Sequence, residues 1–213
     1  MTSTVSTIMI CNSFILAVDV ETGEDAVFDN RHHAITPEHV PASASMPVLF
    51  DPAEIEGRRL VDGGMSANLP VRIAMDEPSK AETLCIALVL LPLNGSQPHS
   101  VDGAAVRAQD LIFPCQSRVA IQALRREHAL RRELASGSPD AAATTTLVHL
   151  TNKGEERETA VKAIDLSKDS IRTRWASGKA DMEVALGQLG MLPTPMSGSF
   201  SVVRLVDNSL SMT

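Results

Sequence analysis

The first third of the chain alternates apolar stretches with turn signals. Residues 14–20 are almost entirely apolar, which predicts a buried strand, and Gly23 then provides the turn into a returning strand at 26–28. A helix is expected to begin near Thr36, and Pro41 should keep it short because proline removes an interior hydrogen bond. This part of the chain therefore predicts a hairpin followed by a brief helix.

Longer periodic segments follow. Residues 84–93 are nearly all apolar, as in a strand buried on both faces, and 144–150 predict a second, β-branched strand. Helical periodicity covers 104–135 and 167–189, whereas the tail, 191–213, has no assignable role. Alternating strands and helices of this kind predict an α/β fold with a layered sheet.

The two long helices carry specific expectations. In the first, Pro114 should break or kink the helix, and Glu127 and Arg131 should pair across one turn. Apolar residues spaced along each helix are expected to face the core. They are Ile121, Leu124, Leu130 and Leu134 in the first helix, and Ile171, Trp175, Met182 and Leu186 in the second.

Composition excludes several classes of function. The 213 residues carry a formal net charge of −7 and only 3% aromatic residues, which argues against a nucleic-acid partner. The three cysteines and six histidines show no metal-ligand spacing, so neither a metal nor a disulfide scaffold is predicted. No apolar run reaches the roughly 20 residues of a membrane span, and no basic segment precedes an apolar one as in a signal peptide. A cytoplasmic location is expected, with peripheral membrane contact still compatible.

The most informative stretch surrounds two adjacent glycines. Residues 58–62 predict a short strand that ends at Asp62 and continues directly into Gly63 and Gly64. A carboxylate beside backbone that has no side chains can be approached closely by a ligand or by another polypeptide. Asp-Gly is also a common structural turn, and for these three residues alone that role is the more frequent one.

This stretch resembles the patatin-like phospholipases. That family combines a small-residue segment of the form A-S-x-x-x-P-x-x-F with a later D-G-G or D-G-A and an Asn-x-Pro. The matching positions are Ala42, Ser43, Pro47, Phe50, Asp62, Gly63, Gly64, Asn68 and Pro70. Residues 17–30 are similar to the family's preceding hairpin, and 164–178 to the C-terminal extension of a bacterial branch.

The resemblance implies a fold and a domain organisation. The fold is a partial patatin-like three-layer sandwich, with a parallel-type sheet and flanking helices, followed by a C-terminal helical extension. Residues 1–93 would be the C-terminal part of the patatin-like domain that contains D-G-G. Residues 94–190 would continue it as a helical and strand extension, and 191–213 stay unassigned.

The resemblance also implies a reaction, the hydrolysis of lipid or acyl esters by a Ser–Asp dyad without metal or organic cofactor. Asp62 matches the general base of the dyad, and Gly63, Gly64 and Asn68 support its motif. The base matters because a serine hydroxyl is a weak nucleophile until a positioned group accepts its proton.

The nucleophile half of the family's machinery does not match. No two glycines lie four positions apart, so G-x-S-x-G occurs nowhere, and the Gly-rich oxyanion loop is also missing. Ser13, Ser43 and Ser66 do not follow a predicted strand and precede a helix as a nucleophile should. We therefore expect a truncated enzyme that is inactive alone. A noncatalytic remnant that binds lipid or protein is the alternative, and a serine supplied by a separate chain is a third possibility.

Other candidate residues have ordinary explanations. His32, His33 and His39 could be imagined as metal ligands, but loop histidines without carboxylate partners are usually solvated. The arginines near 125–132 could touch anionic headgroups, although a solvated helix face is the more common role. Loss of the first strands of the sheet would expose an edge and an apolar face, so the isolated chain is expected to be poorly soluble or oligomeric.

Overall fold

A computed structural model describes most of the chain, namely residues 12–47, 49–76, 81–91, 94–95, 97–134, 143–151, 165, 167–192, 194–206 and 209–212. The chain divides into two compact units, Met1–Ala67 and Asn68–Thr213. Each unit has its own sheet and its own core.

The first unit is built on a four-stranded antiparallel sheet in the order β2-β1-β4-β3. Its strands are β1 (Phe14–Asp19), β2 (Asp25–Asp29), β3 (Ala53–Ile55) and β4 (Arg58–Asp62). Two four-residue helices accompany them, α1 (His39–Ala42) and α2 (Gly64–Ala67). The predicted hairpin is confirmed, because Ala17 of β1 pairs with Ala26 of β2 around the turn at Gly23.

Strand β3 precedes the predicted strand at 58–62 and was not itself predicted. Glu56 and Gly57 both have positive φ, at 53° and 74°, which is the backbone of a tight two-residue hairpin. This turn pairs Ile55 with Arg58 and extends the sheet by three residues. The strand is too short, and contains too little apolar alternation, for its sequence to signal it.

The core of the first unit combines small residues with a few large ones. Ala17, Ala26 and Ala42 are completely or almost completely buried against Phe28, Ile55 and Leu60. His39, expected to be solvated, is buried at the start of α1, where its ring lies 4.2 Å from that of Phe28. Its Nδ1 accepts a hydrogen bond from the Thr36 backbone N–H at 3.0 Å, so the histidine closes the turn that precedes α1.

The second unit contains a mixed sheet in the order β5-β6-β7-β8. Its strands are β5 (Thr83–Val89), β6 (Thr145–Thr151), β7 (Phe200–Val206) and β8 (Ser209–Met212), and its helices are α3 (Val71–Ala74), α4 (Val101–Leu134) and α5 (Lys168–Leu189). β5, β6 and β7 are parallel, and β8 is antiparallel to β7. A mixed α/β fold with a long C-terminal helix is therefore confirmed, although the parallel part lies in this unit only. The tail, to which the sequence assigned no role, supplies β7 and β8.

The prediction that the 84–93 strand is buried on both faces is wrong. Along β5, Ala87 and Val89 are buried, whereas Leu84, Ile86 and Leu88 are exposed. Helix α4 covers the first face through Ile121 and Leu124. On the second face, the described contacts of α5 are with residues of β6, β7 and β8, so that face of β5 stays open.

Helix α4 runs through Pro114 without ending, so the proline does not break it, and a kink at Pro114 stays a prediction. Ile121 and Leu124 face the core as predicted, and Glu127 and Arg131 form the predicted ion pair at 2.5 Å. Leu130 and Leu134 are exposed, because the helix continues beyond the residues that pack on the sheet.

Helix α5 also differs from its predicted packing. Ala185 is the buried residue, and Met182 and Leu189 pack beside it against β6, β7 and β8. Ile171, Trp175 and Leu186 are exposed. No helix within the described residues is long and apolar enough to span a membrane.

Candidate catalytic carboxylate

Strand β4 positions Asp62 by pairing with β1. Leu60 and Val61 are buried, and Asp62 follows them as the last residue of the strand, half-buried and opposite Ala17. Its backbone N–H donates to the carbonyl oxygen of Ser45 at 3.0 Å. The carboxylate therefore stands at the end of a strand held by β1 on one side and by the small-residue segment that contains Ser45 on the other.

Gly63 is required by close packing. A Cβ built on Gly63 would overlap the carbonyl oxygen of Leu16, and would lie 2.7 Å from its carbonyl carbon and 2.9 Å from its Cγ. The residue is buried, and it is not among the described glycines with positive φ, which are Gly23, Gly57 and Gly198. The first glycine of D-G-G thus lets β1 approach the end of β4.

Gly64 fixes the carboxylate. Its backbone N–H donates to Oδ1 of Asp62 at 2.7 Å, at the point where α2 begins. α2 is closed by the N–H groups of Ser66 and Ala67, which donate to the carbonyl oxygen of Gly63 at 3.1 and 2.9 Å. Oδ2 of Asp62 has no hydrogen-bond partner among the described residues, so one oxygen orients the group and the other can accept a proton.

The candidate serines have different surroundings. Ser13 and Ser66 are exposed, and the Ser43 hydroxyl donates to the Val40 carbonyl oxygen at 2.9 Å. Ser45, which the sequence did not single out, is buried, and its hydroxyl donates to the carbonyl oxygen of Pro41 at 2.8 Å. The hydroxyls of Ser43 and Ser45 are thus both used to cap α1, and the carbonyl of Ser45 supports Asp62.

Asn68 opens the second unit, whereas Asp62, Gly63 and Gly64 belong to the first. Its backbone N–H donates to the side-chain oxygen of Gln116 on α4 at 3.4 Å. Pro70, two residues later, precedes α3, which Val71 anchors in the core of the second unit. Each half of the motif is therefore anchored in the unit to which it belongs.

Two other aspartates of the same sheet have structural partners. Asp19 is buried and its Oδ1 accepts the backbone N–H groups of Glu21 and Thr22 at 2.9 and 3.1 Å, which lowers its pKa. Asp29 accepts hydrogen bonds from the Arg31 guanidinium and backbone, which lower its pKa to about 2. Both stabilise turns at the ends of β1 and β2. Among the described residues, no cluster of histidine, cysteine and carboxylate groups could hold a metal ion.

The arrangement has the chemistry of a positioned proton acceptor. A half-buried carboxylate with one oxygen held by a backbone N–H keeps a fixed direction, as a group that takes a proton from a neighbouring hydroxyl requires. The ion pairs between described residues join the carboxylates of Asp29, Glu21, Glu127 and Glu183 to basic side chains. None of these pairs includes Asp62.

Two family models match separate parts of the chain. The Patatin model, described as patatin-like phospholipase, matches residues 4–75, which include β1 to β4, D-G-G and Asn68. The DUF3734 model, described as patatin phospholipase, matches residues 107–195, which include most of α4, β6 and all of α5. The two matches are adjacent in order, concern one family and together span most of the chain. The chain belongs to the patatin-like phospholipase family.

Proposed function

We propose that this chain carries the general-base half of a patatin-like acyl hydrolase that acts on lipid or acyl esters, and that Asp62 is the base of its Ser–Asp dyad. The observation that supports this most is the geometry at D-G-G. Gly63 allows β1 to hold the end of β4, and the Gly64 N–H orients one carboxylate oxygen while the other stays available. The patatin-like matches supply the substrate class, a lipid ester.

The proposed reaction needs a serine that these residues do not provide on a G-x-S-x-G turn. Its hydroxyl proton passes to Oδ2 of Asp62 as Oγ forms a bond to the ester carbonyl carbon. Asp62 then returns the proton to the departing alcohol as the ester C–O bond breaks, and water hydrolyses the acyl-enzyme to the free acid. Backbone N–H groups of an oxyanion loop would stabilise the charge on the carbonyl oxygen.

The proposal predicts that the 213 residues alone are inactive. Purified chain should not cleave a p-nitrophenyl acyl ester above the buffer rate. Cleavage that disappears in an Asp62→Asn variant would show that a serine within the chain completes the dyad, and would contradict this part of the proposal.

Co-expression tests the role of Asp62 directly. A separate patatin-like polypeptide with the G-x-S-x-G turn and oxyanion loop should restore cleavage, and Asp62→Asn should reduce the restored rate about 10²- to 10⁴-fold. The matched control is Asp51→Asn, an exposed aspartate of the same unit, which should leave the rate unchanged. Equal losses in the two variants would refute Asp62 as the base.

A noncatalytic remnant that binds lipid or protein is the second candidate, and the absence of G-x-S-x-G favours it. The DNA upstream of the Met1 codon discriminates between the two. A G-x-S-x-G reading there, in frame or after a frameshift, supports the enzyme. Unrelated DNA supports the remnant.

A further inference from the structure

The N-terminal half of α5 carries two large apolar side chains that the fold leaves open. Ile171 and Trp175 lie one helical turn apart, and they are 50% and 74% exposed. Seven residues after Trp175, on the same side of the helix, Met182 packs against the sheet of the second unit. One face of α5 is thus covered at its C-terminal end and open at its N-terminal end.

The charged residues that flank Trp175 on its side of the segment 168–179 are basic. Residues seven before, three before and four after Trp175 are its neighbours along one side of the helix, and they are Lys168, Arg172 and Lys179. Asp169 and Asp181 lie six residues away in either direction, which places them on other sides of the helix. Lys179 also forms an exposed ion pair with Glu183 at 3.6 Å, which is weak in water. The open apolar pair is therefore bordered by basic residues, in a chain whose net charge is −7.

This combination fits an anionic lipid surface. Helices that lie in a membrane interface place tryptophan and aliphatic side chains among the headgroups and extend lysine and arginine to the lipid phosphates. An acidic surface of a second copy of this chain could attract the same basic residues, but it would not by itself account for an exposed tryptophan at their centre.

We propose that the segment 168–179 of α5 docks the protein on anionic membranes, with Ile171 and Trp175 entering the headgroup layer and Lys168, Arg172 and Lys179 contacting phosphates. This inference rests on the proposed function in one respect, since a lipid ester substrate lies in such a surface. It adds the element that brings the protein to that surface.

The chain contains its own probe, because Trp175 is its single tryptophan and it has no tyrosine. Emission of the purified chain should shift to the blue when vesicles of equal parts phosphatidylcholine and phosphatidylglycerol are added, and brominated phosphatidylcholine in those vesicles should quench it. Vesicles of phosphatidylcholine alone should bind at least about tenfold more weakly, because they carry no net negative charge to attract the basic residues. Sedimentation with vesicles measures the same binding without fluorescence.

Three variants test whether vesicle binding depends on the segment 168–179 or on any exposed apolar residue. Arg172→Glu and Trp175→Ala should each weaken sedimentation with the mixed vesicles about tenfold. Leu134→Ala, at an apolar residue that is 87% exposed on the end of α4, should change nothing. Equal binding by Arg172→Glu and the unaltered chain would overturn the proposal. So would a blue shift that grows with protein concentration in the absence of lipid, which would assign the face to a second copy.

The outcomes are independent of hydrolysis. Vesicle binding by a chain that fails to support ester cleavage in the co-expression experiment would refute the proposed function and leave the docking segment standing. Restored cleavage without any emission shift on anionic vesicles would refute the docking segment alone.

Discussion

The substitution Gly63→Ala would place a Cβ against the backbone of β1, and the structure gives the size of the overlap. The added Cβ would lie 2.7 Å from the carbonyl carbon of Leu16, whereas an ordinary carbon–carbon contact is about 3.5 Å. The obstacle is the backbone of β1, so no side-chain rotation relieves it. β1 and the end of β4 must separate by close to 1 Å, at the point where Ala17 pairs with Asp62.

Overpacking of this kind costs typically 1–3 kcal/mol, and a backbone obstacle places Gly63→Ala at the upper end, about 3 kcal/mol. The free energy of unfolding from urea titrations followed by circular dichroism measures the loss. The matched control is Gly178→Ala in α5, where a Cβ meets nothing within 4 Å. That change should stabilise the helix by up to about 1 kcal/mol, because alanine has the higher helix propensity.

The same substitution has a functional consequence, because the displaced strand end carries Asp62. In the co-expression assay Gly63→Ala should lower the restored ester cleavage, whereas Gly178→Ala should not. If the free energy of unfolding of Gly63→Ala lies within about 0.5 kcal/mol of that of the unaltered chain, the packing explanation of the first D-G-G glycine is wrong.

Three further predictions concern caps and titrating groups. Ser167→Ala removes the hydroxyl that accepts the Ser170 N–H at 3.3 Å at the start of α5. It should lower the free energy of unfolding in urea by about 1 kcal/mol, and no change would show that this N-cap does not stabilise the helix. Burial and Arg204 lower the pKa of His149, so the unfolded chain binds the proton more readily and stability falls as pH drops below about 6.5. His149→Gln should reduce that fall between pH 7.5 and 5.5, and an unchanged pH profile would contradict the assignment. The pKa of Asp29 is lowered from 3.8 to about 2, so its stabilisation is present above its unfolded pKa and lost as pH falls towards 2. Asp29→Asn should therefore destabilise the chain at pH 6 and make no difference near pH 2, and an equal effect at both would exclude the Arg31 pairing as the cause.

Local sequence signals predicted the parts of the fold that local chemistry determines. The hairpin of β1 and β2 followed from an apolar run and Gly23, and the Glu127–Arg131 pair followed from helical spacing. The identity of Asp62 as a strand-end carboxylate was also readable, because the glycines after it mark the end of β4.

Contacts between residues far apart in the sequence could not be predicted from it. The role of Gly63 depends on Leu16, and the support of Asp62 depends on the Ser45 carbonyl, both contacts between residues far apart in the sequence. The spacing of apolar residues along α5 predicted an apolar face. It did not show that the sheet covers only the part of this face around Met182 and leaves Trp175 exposed. Periodicity shows that residues share a face, and only the neighbouring elements decide whether that face is buried.

Covalent labelling tests whether Asp62 activates a serine located outside these residues. A fluorophosphonate reacts with serines that a base has activated, so its site of attachment in the co-expressed pair identifies the serine that Asp62 serves. We expect an adduct on the G-x-S-x-G serine of the separate polypeptide, and a loss of labelling with Asp62→Asn but not with Asp51→Asn. An adduct on a serine of this chain, or labelling that does not depend on Asp62, would refute Asp62 as the base of such a dyad.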